Sequence, residues 1–382
     1  MAPSPTPTGP RPSGQPGPLT GFTIGVTAAR RRDELVALLT RRGAQVVEAP
    51  VLRITPLADD LALRQATERC LAAPLDYVVA TTGVGWRGWM SAAEGWGRGA
   101  ALADACRDAV VLSRGPKATG AVRASGLGEG FSPDTEATDE LLTWLLARPL
   151  AGRRIAVQEH GIRLDAFAAA LRERGAEVIS VPVYRWEPPD DPAPVRRLVE
   201  QTVRRQVHAL TFTSAPAVTA FVETATAEGL REPLLEALRG DVLPVCVGVL
   251  CARPFAELGL PVVFPERGRL GSLVRLLAET LPGRGRQDVT VAGRTLTLQG
   301  NAVMVDGRSH WLSPRGAAVL RALAERPGRV LSRAELLRTA WADATADEHA
   351  VEAAVGRLRA ALGPHGGLIR TVPKRGYRLA AG

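Results

Sequence analysis

The stretch LVALLTRRGAQVVEAPVLRITP, which begins at Leu35, recurs as FAAALRERGAEVISVPVYRWEP, which begins at Phe167. Gly43 pairs with Gly175, Pro50 with Pro182, Val51 with Val183 and Arg53 with Arg185, each at a spacing of 132. The spacing persists downstream. Thr81-Thr82 pairs with Thr213-Ser214, and then Gly115 with Gly248 and Gly126-Leu127 with Gly259-Leu260 at a spacing of 133. A spacing held over separate motifs marks a duplication, so residues 21–150 and 153–282 are two copies of one unit.

Each copy has the same order of elements. In the first, Phe22 to Thr27 is a β-run, Asp33 to Arg42 a helix that ends at Gly43, and Gln45 to Ala49 a second strand. An extended, proline-marked crossover follows. Next comes a strand that ends in two hydroxyl residues at a helix start, then a strand that ends in glycine (Val110 to Gly115; Val245 to Gly248). Strands alternating with helices predict parallel sheets, with ligands at the C-terminal strand ends. Hydroxyls and free N–H groups at helix N-termini suit anions.

This two-copy pattern resembles uroporphyrinogen III synthase, most clearly over ALTFTSAPAV from Ala209 and Val245-Cys246-Val247-Gly248. The resemblance implies an α/β fold of two duplicated lobes with parallel sheets, joined by crossovers near Val51–Pro56 and Tyr184–Pro189. Lobe A would be residues 21–50 and 187–282, and lobe B residues 51–186. It also implies an interlobe cleft for an anionic small molecule or a linear tetrapyrrole with eight carboxylates, and neither metal nor cofactor. Tyr184 matches the family's tyrosine beside the second crossover, which is proposed to assist loss of the substrate hydroxyl; as a bare residue it is equally a buried strand aromatic. Thr213 and Ser214 match the hydroxyl pair, and with Thr82 and Gly248 they are candidate ligand contacts or ordinary helix caps. Arg114 and Lys117 depart from the family's Gly-then-Thr/Ala helix start, yet suit an anion. His160 and Arg163 follow the strand Ile155-Ala156-Val157 and complete the candidate set.

The C-terminal hundred residues read differently. Val351, Val355, Leu358 and Leu362 form an apolar stripe at helical spacing. A β-run from Leu368 to Thr371, the basic turn Pro373-Lys374-Arg375-Gly376 and a second strand from Tyr377 to Leu379 follow. A slim arginine-bearing helix with a basic hairpin fits a helix in a major groove and a wing on the adjacent backbone. The run from about Asp288 to Leu379 resembles the winged-helix domain of OmpR/PhoB-type transcription factors. The matching residues are Leu312-Ser313, Pro327 to Arg333, Leu336-Leu337, Trp341, Val351, Arg357-Leu358-Arg359 and Thr371 to Arg378. The resemblance makes 283–382 the DNA-binding domain. Its expected contacts with double-stranded DNA are His349, Glu352, Arg357 and Arg359 on the helix and Thr371, Lys374 and Arg375 on the wing. Ala354 and Gly356 stand where relatives carry larger polar groups, so base readout is expected to be sparse and phosphate contacts dominant. No receiver domain precedes the module.

Charge agrees with this division. Residues 283–382 hold 16 Arg/Lys and 8 Asp/Glu, which accounts for +8 of the chain's +9. A localised basic domain is the electrostatic footprint of a phosphate-backbone binder. Composition excludes several other classes. Residues 1–18 are a Pro/Gly/Ser/Thr tail expected to be disordered. No apolar run is long enough for a membrane span, and no signal-peptide pattern is present, so a cytoplasmic protein without a membrane partner is expected. Cys70, Cys106, Cys246 and Cys251 are scattered without metal-ligand spacing and read as reduced, buried thiols. The five histidines form no metal motif, and Gly83 and Gly85 lack the full nucleotide-binding fingerprint.

Two readings stand side by side. The first is a transcriptional regulator whose synthase-like region senses a ligand, with a dimer on tandem DNA half-sites; related fusions point to nitrate/nitrite assimilation or tetrapyrrole supply. The second is an active synthase that cyclises hydroxymethylbilane and carries a regulatory DNA-binding domain.

Overall fold

The computed structural model describes residues 16–56, 61–134, 137–161, 163–341 and 347–381; the side chains of Ile54, Thr55, Pro56 and His160 lie outside the described set. The first repeat supplies β1 (Thr23–Val26), α1 (Arg32–Thr40), β2 (Gln45–Glu48), β3 (Arg53–Pro56), α2 (Leu61–Leu71), β4 (Tyr77–Ala80), α3 (Gly83–Gly95), α4 (Gly99–Asp108), β5 (Val110–Ser113), α5 (Pro116–Ala124) and α6 (Thr138–Leu146). The second supplies β6 (Arg154–Gly161), α7 (Asp165–Glu173), β7 (Glu177–Glu187), α8 (Ala193–Val203), β8 (Ala209–Phe212), α9 (Ala215–Ala227), α10 (Arg231–Arg239), β9 (Leu243–Cys246), α11 (Val249–Glu257) and α12 (Leu270–Gly285). The C-terminal domain supplies β10 (Arg286–Val291), β11 (Arg294–Gln299), β12 (Ala302–Val305), β13 (Arg308–Trp311), α13 (Pro314–Ala324), α14 (Arg333–Ala340), α15 (Glu348–Leu362), a 3-10 turn at Gly363–Leu368, β14 (Ile369–Val372) and β15 (Gly376–Leu379).

The repeats do not fold separately. One sheet has the order β2-β1-β8-β9 and another β3-β7-β6-β4-β5. The first half of each repeat therefore pairs with the second half of the other. Strands β1, β8 and β9 are buried at every residue, as parallel strands covered on both faces must be. Contacts divide the chain into two units, one of the described residues up to Leu52 with those from Pro188 on, the other Arg53–Glu187. The chain passes between them at 52/53 and 187/188. Within the second unit the two crossover segments pair antiparallel, Arg53 opposite Glu187 and Pro56 opposite Tyr184.

That second unit is layered. On one sheet face lie Leu63, Trp86, Trp89, Leu102 and Val122 from α2 to α5; on the other lie Leu141, Leu145, Phe167 and Leu171 from α6 and α7. Both buried indoles are satisfied, Trp86 Nε1 by Ser125 Oγ and Trp89 Nε1 by Thr67 Oγ1, each at 2.9 Å. In lobe A, Ile24 and Val26 pack with Leu35, Leu39, Val245 and the apolar stripe of α12.

Two expectations are corrected here. The tail expected over residues 1–18 falls outside the described residues up to 15, but Gly17 and Pro18 belong to the fold. Gly17 N donates to Thr20 Oγ1 at 2.8 Å, Pro18 O accepts from Gln299 Nε2 at 3.1 Å, and Leu19 is fully buried. Backbone groups do the holding, which composition cannot register. The domain boundary expected at 282/283 falls inside α12, which runs through Pro282 to Gly285 and meets β10 at the next residue.

The C-terminal domain lies in the same unit as lobe A. Strands β10 to β13 form an antiparallel sheet and α13 to α15 pack on it through Leu296, Leu298, Val303, Leu320, Leu336, Val355 and Leu358. Leu331 exchanges two backbone bonds with Tyr377, at 2.8 and 2.9 Å, and ties the β14–β15 hairpin to the start of α14. All three helices have side-chain caps: Ser313 accepts from Gly316 N, Ser332 forms a capping box with Glu335, and Asp347 accepts from Ala350 N. Among the described residues no helix is long and apolar enough to cross a membrane.

His208, just before β8, is enclosed by Phe22 and by Arg321 of α13, and its Nδ1 accepts from Thr23 N at 3.0 Å. Burial, then the charge of Arg321, pushes its pKa from 6.5 down to about 4. The unfolded chain therefore binds a proton that the folded chain refuses, so stability is fully present above pH 6.5 and falls as the pH drops toward 4. A loss of about 2 kcal/mol is expected between about pH 7 and about pH 5, above the range where Asp76 and Glu335, both lowered, titrate. Denaturant unfolding at the two pH values measures it. His208→Asn, which keeps an acceptor but no titrating group, flattens the slope; an unchanged slope refutes the assignment.

Candidate nucleic-acid interface and strand-end sites

Helix α15 buries Val351, Ala354, Val355, Leu358 and Leu362 and exposes His349, Glu352, Ala353, Gly356 and Arg357. Ala354, expected on the reading face, is 2% exposed and belongs to the core, because it shares the helix face of Val351 and Leu358. Gly356 is open, with nothing within 4 Å of where a Cβ would stand. Glu352 is held by Arg333 of α14 at 2.8–2.9 Å, so its carboxylate already has a cation. Arg357 projects outward with no partner among the described residues.

Arg359 does something else. Its Nε and Nη2 donate to Ile369 O at 3.0 and 2.7 Å, and Nη2 also reaches Thr371 Oγ1 at 2.9 Å. Its guanidinium lies 5.8 Å from the centre of the Tyr377 ring. Residues two apart on a helix point to different sides. Arg357 therefore faces outward, while Arg359 faces the hairpin and fixes it to the helix. Arg359, expected on the DNA, is thus also engaged in positioning the hairpin, and it occupies the hydroxyl of Thr371.

The hairpin tip is Pro373-Lys374-Arg375, with Lys374 in the left-handed region (φ 63°) and Arg375 N bonded to Val372 O at 3.0 Å. The side chains of Lys374 and Arg375 are exposed and without partners among the described residues. The site is thus an outward arginine on one helix and two cations on a hairpin locked beside it. Trp341 is core, 7% exposed, with Arg315 stacked 5.8 Å above its ring.

The strand-end candidates fall into two groups. In the second unit, Thr82 caps α3 and accepts from Gly85 N at 3.1 Å, and Lys117 lies exposed on the first turn of α5. Arg114 sits beside them, its backbone N bonded to Ala80 O at 3.0 Å. Arg163 is paired with Asp165 at 3.0 Å. His160 lies near the end of β6, its side chain outside the described set. Tyr184 is 6% exposed in the lobe core, edge-on to Trp186 at 5.9 Å. Sequence reasoning missed a hydroxyl trio here: Ser113 Oγ and Thr119 Oγ1 are 2.5 Å apart, with Ser132 Oγ a further 3.4 Å away. Separated by loops, these residues carry no linear signal. Gln158 is fully buried, its carboxamide without a partner among the described residues, while its backbone O accepts from Thr81 Oγ1.

In lobe A, Thr213 and Ser214 follow β8 and Gly248 follows β9, each at a helix start. Ser214 is the N-cap of α9 by backbone conformation but its hydroxyl makes no cap bond, since Pro216 removes one of the N–H groups it could serve. Helix α11 opens with Val249 and Leu250, 64% and 58% exposed.

These lobes and their swapped sheets have counterparts. The uroporphyrinogen-III synthase HemD family model matches residues 33–275. The chain belongs to the HemD family. A transcriptional regulatory protein C-terminal family model matches residues 307–379. A mutant uroporphyrinogen III synthase structure from the extremely thermophilic bacterium Thermus thermophilus superposes with a TM-score of 0.59 at 28% identity, covering 69% of this chain and 99% of that one. Protein YjjA of Bacillus subtilis strain 168, uncharacterised, is 26% identical over 265 residues, 68% of this chain and 96% of its own length. The transcriptional regulatory protein AfsQ1 of Streptomyces coelicolor is 34% identical over 156 residues, 38% of this chain and 65% of its own length. The HemD-family region is thus fused to an OmpR/PhoB-type winged-helix DNA-binding domain.

The two arginines of α15 separate by experiment. Arg359→Ala removes the ties to the hairpin and is expected to cost about 2 kcal/mol in urea unfolding, whereas Arg357→Ala stays within about 0.5 kcal/mol. Equal effects would contradict the positioning role.

Proposed function

We propose that this chain is a DNA-binding transcriptional regulator whose HemD-family region senses an anionic small molecule of the tetrapyrrole class. The observation that supports it is the set of outward cations Arg357, Lys374 and Arg375, on a recognition-type helix and its locked hairpin, in a domain that holds most of the chain's net charge. Arginine and lysine aimed outward, without carboxylate partners among the described residues, are available to phosphates, and the open surface at Gly356 lets the helix backbone approach a groove floor closely. With Ala353 and Gly356 on the reading face, phosphates would carry most of the affinity and His349 the direct base contact. A dimer on tandem half-sites, with tetrapyrrole supply or nitrate/nitrite assimilation as the regulated pathway, is the fuller form of this reading. Fluorescence anisotropy with double-stranded DNA between about 50 and about 200 mM salt tests it. Affinity should fall steeply with salt, and Lys374→Ala or Arg375→Ala should each reduce the log–log slope by about one. Affinity insensitive to salt would sink the reading.

A second reading, retained synthase activity, is favoured by the Ser214 hydroxyl, which makes no cap bond, and by the Ser113–Thr119–Ser132 trio that begins at the end of β5. The exposed Val249 and Leu250 at the α11 start count against it, since apolar side chains there do nothing for a carboxylate. Incubation of the full chain with hydroxymethylbilane, with product isomers separated, decides. Type III product that disappears in Tyr184→Phe supports synthase chemistry. Type I product alone, the outcome of spontaneous closure, leaves the region as a sensor.

A further inference from the structure

Strands β1 and β8 lie side by side at the centre of the lobe A sheet and share both ends. At their C-terminal ends stand Thr27 and the candidate ligand pair Thr213-Ser214. Thr27 Oγ1 donates to Thr211 O at 2.8 Å, and Thr211 Oγ1 donates to Gly25 O at 3.0 Å, so the two strands are cross-linked there beyond their ladder. Their N-terminal ends are Gly21-Phe22 and His208, joined by the Thr23 N bond to His208 Nδ1 and by His208 N to Thr23 O at 2.8 Å.

The DNA-binding domain is seated on those N-terminal ends. Gln299 of β11 is 2% exposed and its Nε2 donates to Thr20 O at 2.8 Å and to Pro18 O at 3.1 Å. Asn301 N donates to Gly21 O at 2.6 Å. Gly21 and Gly300 both have positive φ and touch backbone to backbone: a Cβ on Gly21 would stand 2.0 Å from Gln299 O, and one on Gly300 2.3 Å from Gly21 O. Neither position accepts another side chain without displacement. Arg321 of α13 donates to Gly300 O, and burial lowers its pKa. Helix α13 packs against α15 within one core that includes Leu320, Val355 and Leu358. No slack exists on the covalent side either, since α12 gives way to β10 without an intervening residue.

We propose that β1 and β8 act as a transmission rod, with the Gly21–Gly300 junction and Gln299 as its coupling. A change at the Thr213-Ser214 end reaches the recognition helix through this contact, in the place a receiver domain would otherwise occupy. The inference rests on the regulator reading for its purpose, but the mechanical coupling stands without it. It differs from a beads-on-a-string fusion in which the winged helix reads DNA independently of the lobe. Coupling of this kind is reciprocal: what binds at one end must be felt at the other.

Two hydrogen-exchange measurements on the full chain test it. Without ligand, Gln299→Ala removes the two bonds to residues 18 and 20 and should speed exchange about tenfold both in Gln299–Ala302 and in β1 and β8. Acceleration confined to the DNA-binding domain overturns the coupling. Gly300→Ala, which strains the same contact differently, should give the same paired effect if it folds; Gln299→Ala decides alone if it does not. Sheared double-stranded DNA at about 50 mM salt is the second probe. Wild type should gain protection in Thr23–Val26 and Ala209–Phe212, and Gln299→Ala should lose that gain while anisotropy shows DNA still bound. DNA bound with no change in β1 or β8 of the wild type overturns the proposal. No DNA binding at all instead removes the regulator reading, and the ligand-free measurement still decides the coupling.

Discussion

The parallel pairing of β1 with β8 holds the molecule together. It joins residues 184 or more positions apart and closes lobe A from opposite ends of the HemD-family region. Once it forms, β2 and β9 have their neighbours, and the intervening residues 53–187 are delivered as an inserted lobe. The strands contribute four buried residues each with almost no polar surface, so the pairing is driven by burial and completed by the two threonine hydroxyls that bridge it. Forming a pair at such separation means closing a long loop first, which makes this the slow step expected of folding.

The same pairing explains where chemistry can occur. Parallel strands end together, so hydroxyls that close the strands of one sheet gather at one edge, with helix N-termini above them. The first unit presents Ser214 and Gly248 in this way, and the second presents Thr82 and Ser113. The opposite edge of the lobe A sheet is closed by the DNA-binding domain. The same strands thus carry hydroxyls and helix N-termini at one end and the DNA-binding domain at the other.

Much of this was legible before the fold was known. The repeat at 132 located both copies and the hydroxyl pairs, because duplicated packing requires glycine and proline to recur at equivalent turns. The winged helix was legible because Pro327 to Arg333 and Thr371 to Arg378 combine turn, cap and strand signals at fixed spacing. The reading faltered where a side chain's partner is remote in sequence. Nothing in the sequence around Arg359 says that it holds Ile369 O and Thr371 Oγ1. Ala354 looked exposed because alanine carries little signal about which face it occupies. Pro18 looked like tail because its role is carried by a carbonyl that accepts from Gln299.

Periodicity, turn chemistry and net charge are local properties. The elements, their duplication, the charge division and both domain families could therefore be read from the chain alone. Which half of each repeat pairs with which could not, nor which arginine of α15 faces outward, nor that the DNA-binding domain is seated on lobe A through Gly21 and Gly300. Those outcomes were settled in the folded molecule, by hydrogen bonds and close approaches between residues remote in the chain. The free energy of such a contact belongs to the pair and is written in neither residue alone.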